Sequence, residues 1–188
     1  MQIDPQMFLD LAEECHQLAF VDIESTGLKG DYNAILVVSI KPYGKKPIPF
    51  VCKEPGNDQD LVNQVYWAIQ GYSCIVTYYG KGFDIPMINT RLLTWEEDPL
   101  EPIHHIDMYY TLKSKILTGR RSQGHLLQWL ELPELKMGVS ASEWNRVQRA
   151  DTRDEAMKVM VKRCNSDVTG LEGLYKRTRH LIKDIKRG

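Results

Sequence analysis

Apolar and polar positions along this chain change period several times, and each change marks an element. Residues 1–16 place Phe8, Leu11, Ala12 and Cys15 at the spacing of one helical face. Residues 18–24 form an apolar run ending in two acids, a strand that reaches a sheet edge. Turn residues follow over 27–33, then a β-branched second strand over 34–40 and a third over 48–52. The short Pro42-Tyr43-Gly44-Lys45-Lys46-Pro47 connection predicts an antiparallel hairpin between these two. Leu61, Val65, Ala68 and Ile69 predict a helix over 60–69, and residues 73–78 read as a buried strand.

Beyond that strand the pattern alternates. Helices are predicted over 84–93, 107–117 and 122–130, with a short strand over 102–106. Thr152 with Glu155 is a capping-box pattern that opens a helix through Met157, Met160, Val161 and Cys164. A further helix carries Val168, Leu171, Leu174 and Tyr175, with or without a break at Asn165-Ser166. An early hairpin followed by strand–helix units predicts an α/β domain with a mixed sheet of about five strands flanked by helices. Ligands in such sheets gather at the carboxyl ends of the strands.

Length suits one domain over residues 1–188, with a short N-terminal helix (1–16) and a basic C-terminal helix or tail (176–188). No apolar run reaches membrane-spanning length, and Met1-Gln2-Ile3-Asp4-Pro5 has neither the basic nor the apolar region of a signal peptide. Cys15, Cys52, Cys74 and Cys164 lie far apart, as reduced thiols of an intracellular protein do. The net charge of −1 hides a division. Residues 1–107 carry 7 Lys+Arg against 16 Asp+Glu, and residues 108–188 carry 17 against 9. That asymmetry fits an acidic site facing a basic surface for a polyanion, or an incidental surface distribution.

Asp22 and Glu24 are two positions apart, so a strand projects them from one face. Two carboxylates that close repel unless a cation sits between them, and hard divalent cations take oxygen ligands. A solvated strand end is the alternative. Asp84, after the glycine-bearing loop that ends the fourth strand, reads as a helix N-cap, a role compatible with metal binding. Asp167 lies three residues after Cys164 and four before Leu171, at the border of an apolar stripe. An acid turned toward a core edge needs a partner, either a metal or a nearby Lys or Arg.

In this order and with these flanks, the acids resemble the DEDD superfamily of 3′–5′ exonucleases, of ribonuclease H-like fold. Phe20-Val21-Asp22-Ile23-Glu24-Ser25-Thr26-Gly27-Leu28 looks like its first motif. Residues 77–88 look like its second, in the branch resembling the proofreading exonuclease domain of B-family DNA polymerases, and Cys164-Asn165-Ser166-Asp167-Val168 looks like its third. His105-Ile106-Asp107-Met108 and His125-Leu126-Leu127-Gln128-Trp129-Leu130 resemble the linking segment. The resemblance implies a metal-dependent enzyme acting at the 3′ end of single-stranded DNA or RNA. Asp22, Glu24, Asp84 and Asp167 would hold two Mg²⁺ or Mn²⁺ ions and carry catalysis. Motif position puts Thr26, Gly27, Leu28, Tyr79, Phe83 and Arg163 beside the substrate.

Two departures qualify that implication. Tyr79 stands where the branch usually has Asn, and Arg163 and Lys162 stand where the third motif offers Tyr or His. Arginine does not deprotonate at neutral pH and Lys162 would serve as a base only if strongly desolvated, so the usual general base is missing. The rival reading is a catalytically weak nucleic-acid-binding accessory protein. A phosphodiesterase acting on structured or cyclic substrates is a third. Among the remaining residues, adjacent His104 and His105 face opposite ways in a strand and read as structural, and Asp107 as a helix N-cap. Met157 and Met160 read as core. Tyr78, Tyr79, Trp95 and Trp144 are candidate base-stacking rings, Arg120 and Arg121 candidate phosphate contacts, and Lys176, Arg177 and Arg179 solvated helix surface.

Overall fold

The computed structural model describes residues 4–54, 56–133, 146–147, 149 and 151–187. Its centre is a six-stranded sheet in the order β3-β2-β1-β4-β5-β6. β1 (Leu18–Ser25) pairs antiparallel with β2 (Ile35–Pro42) and parallel with β4 (Cys74–Thr77). β3 (Ile48–Val51) closes the hairpin with β2, and β5 (His104–Asp107) runs parallel to β4. The sixth strand, β6 (Lys186–Arg187), pairs antiparallel with β5. Its two charged residues carry no alternation to read, and main-chain pairing alone makes them a strand. Because β1, β4 and β5 are parallel, their carboxyl ends open on one sheet edge.

Alternation along β1 divides the core. Leu18 and Phe20 pack with α1 (Pro5–Glu14), α4 (Met108–Lys113), α5 (Gln123–Trp129) and the lower half of α6 (Arg153–Thr178). Ala19, Val21 and Ile23 pack on the other face against α2 (Gln59–Gln70) and α3 (Asp84–Thr94). The period of two therefore carries Asp22 and Glu24 onto the α6 face.

α6 is one continuous helix of 26 residues rather than two. The polar pair at Asn165-Ser166 does not break it: Asn165 Oδ1 accepts the Ser39 hydroxyl of β2 at 2.8 Å. The capping box is not formed, although the helix does start after Thr152. Thr152 Oγ1 donates to the Arg146 carbonyl at 2.8 Å, and Glu155 pairs with Lys158 at 2.7 Å. Met157, Met160 and Cys164 pack on Leu36 and Val37 of β2. A buried ion pair between Lys41 of β2 and Glu172 adds to this seam. Glu172 also accepts the Gly44 N–H at 2.8 Å, from a turn whose φ of +69 favours glycine.

The two histidines of β5 are structural. His104 meets the Phe8 ring at 4.8 Å, and His105 Nε2 sits 2.8 Å from Thr77 Oγ1. Burial, and then the charge of Lys81, lowers the His105 pKa from 6.5 to about 4. Between those values the unfolded chain binds more protons than the folded one, so stability falls as pH drops through that window. At 1.36 kcal/mol per unit the loss approaches about 3 kcal/mol by pH 4. Urea melts at stepped pH should show this slope in the wild type and a shallower one in His105→Asn.

Candidate active site

Three carboxylates converge at the sheet edge. The carboxylate oxygens offered by Asp22 and Glu24 of β1 and Asp167 of α6 all lie within 4.8 Å of one another. Glu24 and Asp167 are buried and Asp22 is half-buried. A bulge between Glu24 and Ser25 shifts the β1–β2 register directly after the pair, a device that re-aims side chains at strand ends. One turn before Asp167, the Cys164 thiol donates to the Asp22 carbonyl at 3.2 Å. Burial, and then the nearby Asp22 charge, pushes that thiol well up, so it stays a neutral donor.

Arg163 supplies the cation that an inward acid requires. Its Nε lies 2.5 Å from Glu24 Oε1 and 3.9 Å from Asp167 Oδ2, one helical turn away. The residue standing in the place of the usual tyrosine therefore binds the acids themselves. Three hard oxygen donors at this separation fit a divalent cation. The guanidinium holds a Glu24 oxygen, so a metal and Arg163 would compete for that carboxylate. Arg163→Ala should lower the melting temperature in EDTA by leaving the acids mutually repelling, and enlarge the rise in melting temperature on adding Mn²⁺. Differential scanning fluorimetry reads both changes.

Asp84 has a different placement. It is not the N-cap of α3: Phe83 holds that position without a side-chain cap bond, and Asp84 is the first helical residue. Its Oδ1 accepts the Ile23 N–H at 3.1 Å. Pairing of β1 with β4 ends at Phe20 and Val76, so the Ile23 N–H lies past the reach of the shorter strand. Asp84 faces the same cavity as the other acids but stands outside the group within 4.8 Å.

That cavity is about 720 Å³, and Asp22, Glu24, Thr26, Gly27, Leu28, Tyr79, Phe83, Asp84, Arg163 and Asp167 all line it. Thr26 Oγ1 is also a loop fastener, accepting the Ala34 N–H at 3.1 Å. A Cβ at Gly27 would stand 2.5 Å from Asn33 Oδ1, so any larger residue there must displace the Asn33 side chain. Leu28 projects 79% exposed at the rim. Tyr78, a candidate stacking ring, also lines the cavity; sequence reasoning gave Ser25 and Leu36 no binding role, and Asp107 does more than cap α4. Its carboxylate also accepts the N–H groups of Tyr79 and Lys81 at 3.0 and 2.9 Å. The motif signalled the cap; nothing local signalled the bonds across to the loop.

Trp95 is not a free stacking ring, because its Nε1 donates to buried Asp58 at 2.8 Å. Trp144 lies outside the described residues. Arg120 and Arg121 are exposed, and the Arg121 carbonyl accepts the Tyr78 hydroxyl.

The family model RNase_H_2, of the RNase H superfamily, matches residues 19–178, and the chain belongs to that superfamily. Its fold is similar to that of a family B DNA polymerase from the hyperthermophilic archaeon Pyrobaculum calidifontis, with a TM-score of 0.67 at 14% sequence identity. The likeness covers 86% of this chain and 24% of the polymerase chain, so this chain spans about a quarter of its relative. No curated protein matches the sequence. No described helix is long and apolar enough to cross a membrane.

Proposed function

We propose that this protein is a metal-dependent 3′–5′ exonuclease that hydrolyses phosphodiester bonds at the 3′ end of single-stranded DNA or RNA. The observation that carries the reading is the meeting of Asp22, Glu24 and Asp167 within 4.8 Å, at the carboxyl edge of parallel strands, in a chain of the RNase H superfamily. These three would hold Mg²⁺ or Mn²⁺ by oxygen ligation, with Asp84 on the same wall completing a two-ion set. Bound there, such ions would supply an activated water and stabilise the departing 3′ oxygen. The chain's own part is positional. β1 fixes two acids on one face, and α6 brings the third against them. Arg163 neutralises the cluster, and a metal held by the acids would free its guanidinium for a phosphate. Leu28 and Phe83 give the terminal nucleotide an apolar contact at the rim.

The Arg163–Glu24 ion pair favours a second reading, a nucleic-acid-binding protein of low catalytic power in which the arginine remains seated among the acids. Labelled single-stranded oligonucleotides incubated with Mg²⁺, Mn²⁺ or EDTA separate the two. Stepwise metal-dependent shortening, lost in Asp22→Ala, supports the exonuclease. Salt-sensitive binding without product supports the binding protein. Degradation of circular or end-blocked strands would instead make the cut internal.

A further inference from the structure

Tyr79, on the lip of the cavity, has φ +67, a left-handed backbone that a bulky residue enters only at a cost and asparagine enters far more readily. Buried Asp107 holds it there through the N–H groups of Tyr79 and Lys81, and the Gly80 N–H is taken by Thr77 Oγ1 at 3.2 Å. The same carboxylate accepts the Tyr109 N–H at 3.0 Å at the start of α4. One buried acid therefore sets both the loop and the helix that carry three rings.

Those rings are arranged for contact rather than for core packing. Tyr79 and Tyr110 are 45% and 44% exposed, their centroids 5.8 Å apart and their planes within 29° of parallel. Tyr109 stands edge-on to both, at 5.0 and 5.2 Å. Lys113 Nζ lies 5.9 Å from the Tyr109 ring, and Lys81 is exposed on the loop. Strain kept at a half-exposed ring does not serve burial. Exposed aromatic faces beside ammonium groups are the combination that takes unpaired bases and their phosphates.

We propose that Tyr79 and Tyr110 form a stacking platform for the bases of a single-stranded nucleic acid just outside the acidic cavity, with Lys81 and Lys113 on its backbone. The platform rests on the nuclease reading for the class of ligand, and it adds where the strand lies and why a duplex is excluded.

The test uses fluorescence anisotropy of a labelled oligothymidylate and of a blunt duplex, in EDTA so that nothing is cut. The wild type is expected to prefer the single strand. Tyr110→Ala and Tyr79→Asn should each weaken single-strand binding by roughly tenfold. Tyr79→Asn should do so with an unchanged or higher melting temperature, because Asn relieves the left-handed strain. Trp67→Ala, removing a 74% exposed ring of α2, should leave affinity unaltered. Wild-type affinity in both tyrosine variants, or affinity lost only in step with stability, would overturn the platform. A wild type that binds no oligonucleotide in EDTA would overturn the platform, while metal-dependent shortening of the same strand would keep the nuclease reading standing. Binding that needs the tyrosines, in a protein that never shortens the strand, would support the platform and sink only the hydrolysis.

Discussion

Asp167→Asn is expected to cut metal-dependent shortening of a single-stranded oligonucleotide by about 10²-fold or more while leaving the metal-free protein as stable as the wild type. The activity loss corresponds to the several kcal/mol of charge stabilisation that a bound metal supplies, at tenfold per 1.36 kcal/mol. The stability expectation comes from the geometry. Asp167 is 2% exposed and lies within 4.8 Å of two further carboxylates, with one guanidinium nearest Glu24. An isosteric amide keeps the shape and removes one of three mutually repelling charges. Sites assembled for function are commonly strained in this way. The rise in melting temperature that Mn²⁺ produces in the wild type should shrink in the variant, since metal stabilises only what it binds. Undiminished hydrolysis, or an undiminished Mn²⁺ shift, would remove Asp167 from the metal set.

The largest effect on stability should come from Asp58→Ala, at about 3–5 kcal/mol, or a fall in melting temperature of roughly 10 °C for a domain of this size. Asp58 is 0% exposed. Its oxygens accept the Ile35 N–H at 2.7 Å, Arg91 Nε at 2.9 Å, Arg91 Nη2 at 2.8 Å and Trp95 Nε1 at 2.8 Å. Arg91 in turn donates to the Gly30 carbonyl at 2.9 Å. Truncating the acid strands a buried guanidinium and at once frees the start of β2, the 27–33 loop and α3. Removing both charges in Asp58→Leu/Arg91→Met should cost less than the single change, because no unpaired ion is left behind. Thermal melts of the three variants decide it. Activity should fall with Asp58→Ala as well, since α3 carries Asp84 to the cavity wall.

The elements nearest the site were legible for a definite reason. β1 lies at the centre of the sheet with its partners on both sides, so burial is written into an unbroken apolar run. The same period of two that buries Leu18 and Phe20 carries Asp22 and Glu24 onto their face. Asp167 was legible as an acid on the border of a helical stripe that needed a partner. The extent of α6 was not. Asn165 and Ser166 leave a break open locally, and only the Ser39 hydroxyl across the interface makes Asn165 a packing residue. Asp84 carried a plausible capping pattern, yet its carboxylate answers an unpaired strand N–H 61 positions away.

By itself, then, the sequence determined the alternation of strands and helices, the acids presented on one face of β1, and the arginine one turn ahead of the acid on α6. Tertiary structure alone decided that Arg163 closes on Glu24, that Asp58 gathers Arg91 and Trp95, and that Asp107 lifts Tyr79 into solvent. The division has a physical cause. Burial of apolar side chains follows from local period, because a strand or helix repeats in the chain. The partner of a buried charge is whichever group the fold brings within hydrogen-bonding distance, and no period encodes that meeting.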